Sequence, residues 1–169
     1  VVKNEITAHA VGTTHLHPDV RTILEIGGQD SKIICVDDGI AVDYAMNTLC
    51  AAGTGSFLSS QAHRLGVEVE EFGEIALTSK KPANIAARCT VFAESEVITL
   101  VGEGKPMDEI AAGIQMAVAK RCFVMAKKAG ATDSITLTGG CAKNAGLKQA
   151  IEHVLKFKVV DLKTDPQLM

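Results

Sequence analysis

The sequence has no tryptophan and a single tyrosine among its 169 residues. That removes most of the aromatic platforms on which single-stranded nucleic acids stack. Its basic residues are scattered, with Lys80-Lys81 and Lys127-Lys128 the densest spots, and the formal charge is −3. A phosphate-backbone binder needs a clustered basic face, so nucleic acid is not an expected partner. No apolar run approaches the roughly 20 residues that cross a bilayer. Val1-Val2-Lys3-Asn4 also lacks the basic stretch and apolar stretch that open a signal peptide. A cytoplasmic location without a membrane partner is the expectation.

There is no C-x-x-C, which disfavours an ordinary zinc knuckle. Cys35, Cys50, Cys89, Cys122 and Cys141 are odd in number, in a chain with no sign of export. A disulfide framework is therefore not expected, and metal or redox use gains weight. The chain has no initiator Met, and Asp165-Pro166-Gln167-Leu168-Met169 stops without a tail. It reads as a piece excised from a longer protein.

What is present is a globular composition, 47% hydrophobic, spread along the whole length. Residues 22–27 and 31–36 read as strands on either side of a glycine turn. Asp37-Asp38-Gly39 is a hairpin signal leading into a third strand over 40–46. From Gly53 the period changes to that of helices, expected over 53–65, 69–78, 90–101 and 107–129, with Gly66 and Gly130 as stops. A strand over 134–138, a Gly139-Gly140 turn, a helix over 143–155 and a strand over 158–161 complete the reading. Strands, a helical block, then strand, helix and strand predict an α/β arrangement with a mixed sheet.

Three motifs carry chemistry. Glu25-Ile26-Gly27-Gly28-Gln29-Asp30 joins two strands through glycines that let backbone N–H groups approach an anion. An ordinary hairpin loop would use the same residues. Leu137-Thr138-Gly139-Gly140-Cys141-Ala142-Lys143-Asn144 leads from a strand into a helix and offers free amides where a purine could lie. Helix packing alone would also ask for these glycines. Cys50-Ala-Ala-Gly-Thr-Gly and Cys89-Thr-Val-Phe-Ala-Glu-Ser-Glu each place a thiol just ahead of an expected helix. The positive end of a helix favours thiolate and stabilises anionic sulfur. A four-iron cluster takes four thiolates, and a twofold dimer would supply two from each subunit. Plain buried cysteines, or a structural zinc shared by a dimer, are the alternatives at this pair. Cys35 and Cys122 read as core residues, and Cys141 as a small residue in its turn.

Ile-Gly-Gly-Gln-Asp at 26–30, Asn-x-x-Cys-Ala-Ala-Gly-Thr-Gly at 47–55, Cys-Thr-Val-Phe-Ala-Glu-Ser-Glu at 89–96 and Thr-Gly-Gly at 138–140 occur in this order. Together they resemble the ATP-dependent activators of 2-hydroxyacyl-CoA dehydratases and the ATPase subunits of benzoyl-CoA reductases, the BadF/BadG/BcrA/BcrD type. Glu5-Ile6-Thr7-Ala8-His9-Ala10 resembles the segment ahead of that family's first glycine turn. The likeness runs through essentially the whole chain, and the two cysteine motifs are its most specific part.

The resemblance implies an actin/hexokinase/Hsp70-like (ribonuclease H-like) ATPase fold, here a part of one spanning 1–169. Residues 22–46 would carry the phosphate loop, 50–130 the cluster-binding and dimer region, and 134–161 the adenosine turn. Gly27, Gly28 and Gln29 would bind phosphate, Gly139, Gly140 and Asn144 the adenosine, with Mg2+ accompanying ATP or ADP. Glu25 and Gln29 would act in catalysis, Glu25 standing where many relatives have Asp and so reaching further toward a magnesium-bound water. Cys50 and Cys89 would hold one [4Fe-4S] cluster per homodimer. ATP hydrolysis would reorient the helices flanking the cluster, with ferredoxin or flavodoxin as reductant and a dehydratase or reductase component as electron acceptor. The family's first phosphate loop and its closing Gly-Ala-Leu-Gly-Ala-type helix have no match in the sequence, so the 169 residues alone are not expected to turn over ATP. A small-molecule kinase of the same fold, and a non-catalytic dimerisation module with structural zinc, are the competing functions. The kinase would need a catalytic Asp, for which only Asp30 and Asp37 are candidates.

Overall fold

Thr22-Ile-Leu-Glu-Ile26 is buried at all five positions, which requires cover on both faces. This strand, β1 (Thr22–Ile26), lies at the centre of the structure, a computed structural model that describes residues 4–47, 53–86, 89–132 and 134–167. It pairs antiparallel with β2 (Ser31–Asp37), which pairs antiparallel with β3 (Ile40–Asn47). Asp38 and Gly39 both have positive φ, 46° and 77°, the two-residue turn whose twist matches a hairpin. On its other side β1 pairs parallel with β4 (Ile135–Thr138), and β4 pairs parallel with β5 (Val159–Val160). The sheet order is β3-β2-β1-β4-β5, mixed as the sequence predicts.

Helices cover the sheet unequally. One face packs Leu24, Ile26, Ile33 and Ala45 under the bulk of the helices, α2 (Gly55–Leu65), α3 (Val69–Thr78), α5 (Met107–Lys128) and α6 (Ala145–Leu155). Cys122 and Cys35 are buried in this core, as expected. The other face carries a small cluster in which Ile23, Ile34 and Val36 meet Ile6 and Ala10.

Those last two belong to α1 (Glu5–Leu16), a helix that the apolar pattern does not announce. Only Ile6, Ala10 and Thr13 are buried along it, too thin a stripe to register as a period. Its start is nonetheless encoded, because the Asn4 side chain accepts from the Ile6 amide at 2.9 Å. The second departure is at the start of α6. Lys143 belongs to a 3-10 turn (Gly140–Lys143), and the helix begins only after Asn144, whose side-chain oxygen accepts from the Leu147 amide at 2.8 Å.

α4 (Thr90–Gly102) buries Ala93 and Val97 and leaves Val91, Phe92 and Ile98 exposed. β3, at the sheet edge, exposes Ile40, Val42, Tyr44 and Met46. Among the described residues no helix is long and apolar enough to cross a membrane.

Candidate functional site

The two glycine turns leave adjacent strands on the same end of the sheet, because β1 and β4 run parallel and in register, Glu25 beside Thr138. Topology thus brings together residues 27–29 and 139–144, more than a hundred positions apart. Between them opens a cavity of about 790 Å3. Gly27, Gly28 and Gln29 line one side, and Gly140, Cys141, Lys143 and Asn144 line another. The first turns of α2 and α3 contribute Gly55, Ser56 and Glu70, and Gln167 closes the wall.

Five of the predicted nucleotide residues therefore share one cavity: Gly27, Gly28, Gln29, Gly140 and Asn144. Gly139 lies just behind the wall. Its φ is +83°, and a Cβ there would meet the Ile26 carbonyl oxygen at 2.5 Å. Only glycine lets β4 turn so close against β1. Asn144 has two tasks, since its side-chain oxygen caps α6 and the residue also lines the cavity.

Glu25 is not on the cavity surface. It points to the α1 side, 6% exposed, with Oε2 3.1 Å from the Lys32 ammonium. Lys32 is itself only 1% exposed and also reaches Glu5 at 3.1 Å and Asp30 at 3.0 Å. One buried cation thus holds carboxylates from α1, β1 and the turn. The other oxygen, Oε1, lies beneath both glycine turns, 3.0 Å from where a Cβ on Gly27 would stand and 2.9 Å for Gly139. Burial raises the Glu25 pKa against the pull of Lys32. Burial also works against the Lys32 ammonium, but its bonds to Asp30, Glu5 and Glu25 outweigh it and raise its pKa. With three carboxylates sharing one cation, the lysine stays charged. Burial, then the Glu25 charge, push the Cys141 thiol up to about 11, so it is a neutral wall of the cavity and no nucleophile.

Sequence reasoning missed several wall residues. Ser56 and Glu70 are distant from either glycine motif and carry no spacing signal. Lys143 and Gln167 are joined at 3.1 Å, and Lys143 meets Asp165 at 3.0 Å. This clasp holds the segment before residue 168 against the Gly139-Gly140 turn, where the Gly139 amide donates to the Pro166 carbonyl at 2.9 Å.

Of the two cysteines expected to ligate a cluster, Cys50 lies outside the described residues. Cys89 is half-buried and occupies the N-cap position of α4, with extended backbone and no side-chain cap to the helix. Its sulfur is thus placed at the positive end of a helix with no competing structural duty, which fits a thiolate ligand. Just upstream, the Ala86 amide is held by Glu96 at 2.6 Å. Glu94 ties α4 to α2, accepting from Gln61 at 3.4 Å and meeting Arg64 at 3.6 Å. Among the described residues no group of three or more His, Cys, Asp or Glu could hold a metal ion.

Residues 1–168 match the BadF/BadG/BcrA/BcrD ATPase family. The chain belongs to that family. Among BadF/BadG/BcrA/BcrD relatives, it is 41% identical over 163 residues to the (R)-2-hydroxyglutaryl-CoA dehydratase activating ATPase of Acidaminococcus fermentans, covering 96% of this chain and 62% of that protein. It is 42% identical over 158 residues to the activator of lactoyl-CoA dehydratase of Anaerotignum propionicum, covering 93% of this chain and 61% of that one. The solved activator of 2-hydroxyisocaproyl-CoA dehydratase from Clostridium difficile, with bound ADPNP, superposes with a TM-score of 0.92 at 39% identity, over 97% of this chain and 61% of that chain. The fold is the actin-like ATPase fold. The chain spans about six-tenths of the length of these relatives.

Proposed function

We propose that the whole protein is an ATP-dependent electron-transfer activator, with its nucleotide in the 790 Å3 cavity and Cys50 and Cys89 contributing to a [4Fe-4S] cluster shared by two copies of the chain. The observation that carries this reading is that one cavity is walled by both glycine turns and by the first turn of α2, the helix that continues from the Cys50 motif. Gly27, Gly28 and Gln29 would take the phosphates and Gly140 and Asn144 the nucleoside, with Mg2+ alongside. The likeness to an activator solved with ADPNP supports this assignment.

When bound, the cluster would supply a low-potential one-electron carrier. The chain's part is to hold it at helix ends and to change the angle of those ends. Glu94 links α2 to α4, so a tilt of one helix is passed to the other. Val91 and Phe92, exposed beside Cys89 at 67% and 66%, supply apolar surface for a second copy across the axis. The electron would come from ferredoxin or flavodoxin and go to a 2-hydroxyacyl-CoA dehydratase or benzoyl-CoA reductase type component, in the cytoplasm. Moving a two-state balance from 1:99 to 99:1 takes about 5.5 kcal/mol, within reach of ATP hydrolysis. Without a first phosphate loop, the 169 residues alone are not expected to hydrolyse ATP.

Iron and acid-labile sulfide, measured per dimer on anaerobically purified full-length protein, test the reading. Four irons, lost in Cys50→Ser and in Cys89→Ser, are expected. Colourless protein with stoichiometric zinc would refute it.

A further inference from the structure

Helix α2 lacks the cap that its sequence offers. Thr54 occupies the N-cap position but makes no side-chain cap. In its place the phosphate-type turn of β1 serves: the Gly55 amide donates to the Gly27 carbonyl at 2.8 Å and the Ser56 amide to the Gly28 carbonyl at 2.9 Å. The Ser56 hydroxyl donates to that same Gly28 oxygen. Two of the orphan donors at a helix start are thus satisfied by a loop more than twenty residues away.

The contact has a second side. In a trans peptide unit C=O and N–H point in opposite directions. With the Gly27 and Gly28 carbonyls committed to α2, the Gly28 and Gln29 amides are directed away from it, side by side. Neither amide has a hydrogen-bond partner among the described residues, and both residues line the cavity. Adjacent free amides of this kind form an anion-binding concavity. Glycine at 55 keeps the junction tight, since a Cβ there would meet the Cys141 sulfur at 2.9 Å and the Gly27 carbonyl at 3.1 Å.

Resting on the nucleotide reading above, we propose that these two peptide units work as a shared lever: their amide side takes nucleotide phosphate, their carbonyl side caps α2, and Ser56 is the positioning residue that keeps the two in step. Turning either peptide plane toward a phosphate alters the cap, and any shift of α2 re-aims the donors. The coupling is reciprocal by linkage.

Hydrogen exchange of residues 55–58 in the full-length protein, free, with Mg-ADP and with a non-hydrolysable ATP analogue, tests this alongside nucleotide affinity. In wild type the two nucleotides should protect these amides to different extents. Ser56→Ala should weaken nucleotide binding roughly three- to tenfold, as expected for one hydrogen bond, and erase that difference. Ser56→Thr, which keeps the hydroxyl, should restore both. Gly55→Ala should abolish the nucleotide dependence of exchange even where the variant remains folded. Nucleotide binding with exchange at 55–58 that ignores the nucleotide, or Ser56→Ala behaving as wild type, overturns the lever alone. Failure of the wild type to bind nucleotide overturns the functional reading with it.

Discussion

Lys32 is the residue on which the β1 side of the site depends. Its ammonium is the cation that meets Glu25, Glu5 and Asp30, and Asp30 in turn accepts from the Gly27 amide at 3.0 Å through its backbone oxygen. Lys32→Met leaves a buried carboxylate without its partner, a change that costs about 3–5 kcal/mol. The sign of the pH dependence follows from Glu25. Burial already raises its pKa, and without the lysine only the weaker pull of His9 opposes that rise. A carboxyl with a raised folded-state pKa binds its proton first in the folded protein, so its penalty applies above that pKa and fades as pH falls through it. Urea unfolding should therefore show a larger loss for Lys32→Met at neutral than at mildly acidic pH. A loss independent of pH would mean that Glu25 is not the group left stranded. At Cys89 the expectation differs. Cys89→Ser should empty the protein of iron while leaving nucleotide affinity, read by calorimetry, within about twofold of wild type, because the thiol is no part of the cavity wall.

At the scale of elements, α6 and the turn before it share Asn144. Asn144→Ala removes the cap on Leu147 and should lower stability by about 1 kcal/mol. Asn144→Asp retains the capping oxygen and should recover the melting temperature, but it puts a carboxylate in place of a neutral amide on a cavity residue, so nucleotide affinity should stay low. Recovery of both would remove Asn144 from the nucleotide site. The same junction shows where the sequence is legible. The strands, the Asp38-Gly39 turn and four helices of the middle block could be read from period and punctuation: Gly66 and Gly130, both with positive φ, mark the ends of α2 and α5, and α4, which buries only Ala93 and Val97, showed itself by its mostly apolar run over 97–101. α1 escaped because Ile6, Ala10 and Thr13 are all that it buries. Lys143 was misplaced because a 3-10 turn has no period of its own to read. Among site residues, the glycines declared themselves by their placement at strand ends. Ser56, Glu70 and Gln167 could not, since only tertiary folding brings their elements to the cavity.

For the whole molecule, the proposal makes assembly depend on an inorganic centre rather than on a large interface. Anaerobic chelation of iron from the full-length protein should shift its sedimentation from dimer to monomer, and Cys89→Ser should sediment as a monomer from the start. A metal-free dimer would transfer the burden to the apolar face of α4. Among the described residues the sheet ends at β3, which carries Ile40, Val42, Tyr44 and Met46 in contact with water. Register slips there between Cys35 and Val36, leaving Val42 opposite no partner residue, and Asp43 adds a charge. An irregular, charged margin is what keeps such strands from recruiting others. Removing that carboxylate should let copies of the strand meet: Asp43→Val should turn a clear solution turbid well before it changes the melting temperature.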